Sequence, residues 1–241
     1  MKFVKPEVFL IAKSKPDDTE IRQWMTHIGC DSDAVEKYSS RSGEGMKTEG
    51  ERITELAGRR CYMSFQPKMN PNVERIRADI SEYCENILKS GHGSVLEHTY
   101  FTFAIENVSR VFTGEMNRHR AGVAISEGSM RFIRYTDIPM VQTPLLTSSE
   151  NDSKELADKK TLTQNVFEET GRYIEEKYAE LQEIWADELK PESKFAAKKH
   201  ITSMMRRIIP MGVATGGIWT ANIRALRHIC TMRCGEAAEE E

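Results

Sequence analysis

The chain has 241 residues, 39% hydrophobic and 29% charged, with a formal net charge of −3 at pH 7. That is enough apolar material for one core, while the charge excludes both a global basic field for nucleic acid and the acidic excess of a disordered chain. No apolar run approaches the roughly 18–20 residues of a membrane span, so a cytoplasmic protein engaging neither membrane nor nucleic acid is expected.

The opening "MKFVKPEVFLIAKSKPDD" lacks the apolar centre and cleavage pattern of a signal peptide and reads as a strand. Residues 31–51, "DSDAVEKYSSRSGEGMKTEGE", are polar and glycine-bearing and read as a loop or insertion within a single domain spanning 1–241. A short helix is expected over 52–61. From Asn72 to Lys89, Val73, Ile76, Ile80, Tyr83, Ile87 and Leu88 keep a helical spacing that "SGHG" stops. "TYFTFAI" (99–105) alternates as a strand, with Phe101, Phe103 and Ile105 on one face.

"VSRVFTGEMNRHR" then reads as a helix weakened by Gly114. On this reading "RHRAGVAISEGSMRF" is the end of that helix and the loop after it, and "FIRYTDIP" returns as a strand. Val166, Phe167, Thr170, Tyr173, Ile174, Tyr178, Leu181, Ile184 and Trp185 trace one helical stripe, read as a core-packing face. "KPES" breaks it, a helix follows over Lys194–Ile209 up to Pro210, and a last helix is expected from about Ile218 towards Cys234. The sum is an α+β fold, a small antiparallel or mixed sheet packed with a helical half.

Five cysteines, Cys30, Cys61, Cys84, Cys230 and Cys234, form no C-x-x-C pair and read as reduced thiols. Cys230 and Cys234 share a helical face, without the further ligands a zinc site needs. His92 and His98 likewise lack a completing carboxylate or cysteine set, so no metal is expected.

The chemistry concentrates in arginines. Arg118, His119 and Arg120 bunch where a helix dipole favours cations, but the residues that follow add Glu127, Ser129 and Arg131, with Gly122 and Gly128 allowing close backbone approach. Arginine forks bind phosphate by paired charged hydrogen bonds, each worth roughly 1.5–3 kcal/mol. An acid beside them suits hydroxyls or ring N–H groups, so the mixture fits a nucleotide better than a simple anion. "WTANIRALRHICTMR" repeats the theme with Asn222, Arg224, Arg227, His228 and Arg233, and "RRIIP" adds Arg206 and Arg207. On density alone these are either snorkelling surface charges or an anion site.

Three blocks carry a resemblance. "RHR" with "SEGSMRF", then "GHGSVLEHTYFTFAIENVSR" and "RRIIPMGVATGGIWTANIRALRHICTMR" resemble, in the same order, the signature regions of the flavin-dependent thymidylate synthases. The resemblance covers 52–140 and 195–241 and is weak elsewhere. It implies that family's fold and reaction: dUMP becomes dTMP, methylenetetrahydrofolate supplies the carbon, and FAD reduced by NADPH supplies the hydride. It also implies a homotetramer whose active sites are shared between subunits.

Carried over by position, Ser94, Arg118, His119, Arg120, Glu127, Asn222, Arg224 and His228 would hold FAD. Glu115, Arg118, Glu127, Gly128, Ser129, Met130, Arg131, Arg206 and Arg233 would hold dUMP. Arg233, at the uracil edge, and His92, near flavin and folate, would be catalytic; a fixed cation in a dry site favours ionisation of a nearby ring N–H. The sequence departs from the pattern in three places. Eight residues rather than seven separate "RHR" from Ser129, Met130 stands where a small or polar residue is usual, and Phe132 stands where Tyr is common. The family also continues past the point corresponding to "GEAAEEE". A relative modifying another pyrimidine nucleotide, or a non-enzymatic nucleic-acid or partner-binding protein, are the competing readings.

Overall fold

The computed structural model describes residues 2–40, 48–238 and 240–241. Its centre is a four-stranded antiparallel sheet in the order β2 (Glu7–Lys13), β3 (Tyr100–Ser109), β6 (Ala214–Asn222), β4 (Val123–Glu127). A separate parallel pair joins β1 (Lys2–Val4) to β5 (Pro139–Val141). Trp219 sits opposite Phe103 on one neighbour and Ile125 on the other. With Ile105 and Val108 these form the sheet's own apolar cluster, as the alternation of Phe101, Phe103 and Ile105 leads one to expect.

The N-terminal helices α1 (Asp18–His27), α2 (Ser32–Ser39) and α3 (Glu49–Tyr62) pack around Met25, Val35, Tyr38, Leu56 and Phe65. So the 31–51 segment is not one long loop. Asp31 caps α2 by accepting from Ala34 N at 2.8 Å, and Thr48 and Glu51 close a reciprocal capping box at the start of α3. Positions 41–47 of that expected insertion lie outside the described residues.

The helix expected over 72–89 is halved to α4 (Ile80–Lys89). Asp79, in an extended conformation, caps it by accepting from Glu82 N at 2.8 Å. The Arg77 carbonyl, which a longer helix would spend internally, accepts instead from Arg59 Nη2 at 2.7 Å. Arg59 is fully buried between the rings of Tyr38 and Tyr83, its guanidinium carbon 4.9 and 4.4 Å from their centres, and pairs with buried Glu55 at 2.7 Å. One cation thus ties α2, α3, α4 and the 72–79 segment together.

Helix α5 (Arg110–Met116) is capped by Ser109 and stops one residue short of Arg118–Arg120. The stretch after it, expected as loop, forms β4, and the strand expected over 132–139 is irregular chain leading to β5. The last helix, α8 (Ile223–Arg233), starts later than expected because Ile218–Asn222 belong to β6. Asn222 marks the switch, its side-chain oxygen accepting from Ala225 N at 2.8 Å. α6 (Lys154–Ile184) and α7 (Phe195–Met205) pack on Ile138, Leu189 and Val213. The α6 stripe is core only in part. Tyr178 is buried, but Val166 is 59% and Tyr173 60% exposed, with Phe167 and Ile184 exposed as well, because nothing among the described residues covers that side of a 31-residue helix.

Candidate active site

The expected site residues fall into two adjoining groups, one where the end of α5 meets α8 and one beside the C-terminal end of β4. α5 and the chain just after it touch both: Glu115 belongs to the first group, while Thr113, Gly114 and Asn117 line the cavity of the second.

The first group gathers where α5 ends and α8 passes. Arg233 bonds Glu115 Oε2 at 2.6 Å through Nη1 and donates from Nε to His119 Nε2 at 3.1 Å. Arg118 also pairs with Glu115, at 3.1 Å, and the His119 ring meets the His228 ring edge-on at 5.6 Å. Burial, then the charges of Arg233 and His228, pull the His119 pKa below its ordinary value, which keeps Nε2 an acceptor. Arg224, one turn before His228, pairs with Glu97 of the short 3-10 segment Gly93–His98. A side chain at Gly93 would press on the Arg224 guanidinium at 3.3 Å. Ser94 and Arg120 are exposed beside these elements. Asn222 is buried and spent on its cap. Gly122, with φ +73°, lies so close beneath it that a Cβ would fall 2.4 Å from the Asn222 amide nitrogen.

The second group lines a cavity of about 490 Å³ beside the C-terminal end of β4: Gly128, Ser129, Met130 and Arg206, joined by Arg110, Thr113, Asn117, Glu127 and Arg207. Met130 also packs against the Ile138–Tyr178 core, which anchors it in the wall. The Glu127 carboxylate is held by Arg110 Nη1 and by Asn117 Nδ2, the latter at 3.1 Å. Sequence reasoning missed both partners. The signal for Arg110 was the Ser109–Arg110 pair, a cap followed by the first residue of a helix.

The structure separates other residues that the sequence grouped. Arg131 lines a neighbouring cavity of about 200 Å³ with Arg134, Phe195, Lys198, Lys199 and Phe132, where Phe132 stacks on Phe195 at 5.7 Å. Glu115, Arg118 and Arg233, expected with the nucleotide, lie in the first group. His92 borders a third cavity, about 390 Å³, with Arg59, Tyr62, Asn72 and Tyr83. Its Nδ1 is buried with no hydrogen-bond partner among the described residues. No group of three or more potential metal ligands occurs among the described residues, and no helix there is long and apolar enough to cross a membrane.

Residues 46–241 match the family described as thymidylate synthase complementing protein. The chain belongs to this family. Flavin-dependent thymidylate synthases from Mycobacterium avium and Mycobacterium tuberculosis are each 31% identical over 192 residues, which cover 80% of this chain and 70% of theirs. The one from Corynebacterium diphtheriae is 31% identical over 214 residues, 86% of this chain and 78% of its own. Among solved structures, the UMP/dUMP methylase PolB from Streptomyces cacaoi superposes with a TM-score of 0.53 at 14% identity when bound with 5-Br UMP, covering 96% of this chain and 78% of that one. Bound with 5-Br dUMP, it gives 0.55 at 15% identity, covering 97% and 80%. That likeness shows the fold. The thymidylate synthase complementing protein match takes in every candidate residue from His92 to Arg233 and begins after α2, so β1, β2, α1 and α2 stand outside it.

Proposed function

We propose that this chain, as one domain, converts dUMP to dTMP, with methylenetetrahydrofolate as carbon donor and NADPH as reductant of a bound FAD. The observation that carries the reading is the convergence of Gly128, Ser129 and Arg206, from β4's end and α7's end, on one cavity of nucleotide size. Arginine beside a serine hydroxyl and loop N–H groups is the donor set a phosphate takes.

The first group suits FAD. Arg118, Arg120 and Arg224 reach solvent and can meet a pyrophosphate, and the tight Gly122–Asn222 and Gly93–Arg224 approaches give that end a narrow backbone cradle. Bound there, FAD supplies the hydride, chemistry that no side chain of this chain offers. The chain's own part is positioning and charge. Glu115 and His119 hold Arg233 by two of its nitrogens, so the guanidinium is aimed before substrate arrives and stabilises negative charge developing on a uracil edge. His92, whose Nδ1 has no hydrogen-bond partner among the described residues, would bond a folate or flavin atom.

A homotetramer with shared sites belongs to the same reading, as the resemblance implies. On this reading each site takes residues from more than one copy of the chain. Apolar Val8, Phe9, Leu10 and Ile11 on edge strand β2, and the open α6 stripe, are surfaces that copies would cover. Nucleic acid and membrane are not partners on this reading. A related activity on UMP is the second reading, favoured by Met130 in the cavity wall.

An absorbance scan of the purified protein, then NADPH oxidation with and without dUMP, tests the proposal. A flavin spectrum and oxidation that responds to dUMP are expected. A colourless protein that takes up no added FAD contradicts it. Competition of UMP against dUMP decides between the two nucleotides.

A further inference from the structure

We propose that Arg110 is a positioning residue of the nucleotide cavity: it neutralises Glu127 and pins the Gly128 peptide, so that the following turn presents its donors to a phosphate. The inference rests on the nucleotide reading above and changes the role expected for Glu127, from ligand of cofactor and substrate to anchor of the turn.

Arg110 opens α5 and reaches across to the end of β4. Its Nη1 bonds Glu127 Oε1, and its Nη2 donates to the Gly128 carbonyl at 2.7 Å. Gly128 N–H donates in turn to the Gly216 carbonyl at 2.9 Å, so both polar groups of Gly128 are fixed. A side chain there would press on Thr215 Oγ1 at 3.1 Å and the Gly216 carbonyl at 3.3 Å. The turn beyond is closed by Phe132 N and Ile133 N donating to the Ser129 carbonyl at 3.0 and 3.1 Å. The second oxygen of Glu127 accepts from Asn117. Both carboxylate oxygens are therefore occupied before any ligand binds, and the Arg110 and Glu127 side chains are largely buried, 18% and 16% exposed. Arg110 Nε and Asn117 Oδ1 are buried with no hydrogen-bond partner among the described residues, in the wall of the same cavity, leaving a donor and an acceptor for what enters it.

The charges of the wall point the same way. The wall holds three arginines, Arg110, Arg206 and Arg207, against one carboxylate, Glu127. Without Arg110, the Glu127 anion stands unpaired beside an incoming phosphate, and like charges in a partly dry site repel strongly. Removing that carboxylate as well should relieve the repulsion, which a merely structural role for Arg110 does not predict.

The test is calorimetric titration of dUMP into the flavin-loaded full chain, with flavin content and melting temperature as fold controls. Arg110→Gln should raise the dUMP Kd about tenfold or more, and Arg110→Gln/Glu127→Gln should recover most of that loss. A Kd for Arg110→Gln within about twofold of wild type, or a double variant as weak as the single, overturns the proposal. If Arg110→Gln fails to fold, Arg110→Lys replaces it. Lysine keeps the charge, so its Kd should rise less than about threefold, and a tenfold rise there that Glu127→Gln leaves in place overturns the proposal too. A wild-type protein that binds flavin but no dUMP overturns the nucleotide reading itself, a distinguishable result.

Discussion

Replacing Arg233 by glutamine separates catalysis from folding. Its contacts with Glu115 and His119 are made at side chains only 28% and 26% exposed for the Arg233–Glu115 pair. Such partly screened pairs contribute roughly 0.2–1 kcal/mol to stability. In a chain of this size that moves the melting temperature by only about 2–4 °C. The same guanidinium, aimed at charge that develops only in the transition state, is worth about 3–4 kcal/mol, or roughly 10²–10³ in kcat. Arg233→Gln should therefore bind flavin, melt within a few degrees of wild type, and turn over dUMP at least about a hundredfold more slowly, measured by dTMP formed per flavin. Glu115→Gln, which leaves Arg233 charged but loosens it, should show a smaller loss in the same direction. Turnover by Arg233→Gln within about threefold of wild type, with the fold intact, refutes the aimed-cation argument.

Arg59→Met should destabilise the fold by about 3–5 kcal/mol in urea unfolding, because it strips the ion pair from a Glu55 side chain that is 1% exposed. The exposed Lys159–Glu155 pair is the control, and Lys159→Ala should cost less than about 0.5 kcal/mol. His119, whose pKa is lowered, contributes stability above the ordinary histidine range that is lost as pH falls through its depressed folded value. Acid should therefore lower the melting temperature of wild type more than that of His119→Asn, and parallel pH curves contradict the link. Val166→Asp/Tyr173→Asp should lower the assembled mass in sedimentation. A wild-type protein that sediments as a monomer contradicts the proposed sharing of sites between copies.

The sheet's core strand was legible because Phe101, Phe103 and Ile105 alternate cleanly, and the start of α8 was hidden for a related reason. "IWTAN" carries both β-branched and helix-compatible residues, and only the capping role of Asn222 marks where one structure becomes the other. The 72–79 stretch has the spacing of a helix, but the deciding interaction comes from Arg59, 18 residues away from the Arg77 carbonyl it binds, and no local pattern reports that. The α6 stripe shows the opposite limit. Its apolar period announces burial without saying whether the covering surface belongs to the same chain. In the site, the signature arginines were visible by density and resemblance. Arg110 and Asn117 were not, because their meaning lies in a partner, Glu127, brought to them by the β4–β6 register.

The most direct measurement is product analysis by chromatography after incubating the flavin-loaded protein with dUMP, methylenetetrahydrofolate and NADPH. The account predicts dTMP that fails to form when the folate or NADPH is left out. A flavin-loaded, dUMP-binding protein that forms no dTMP with all three present would contradict it.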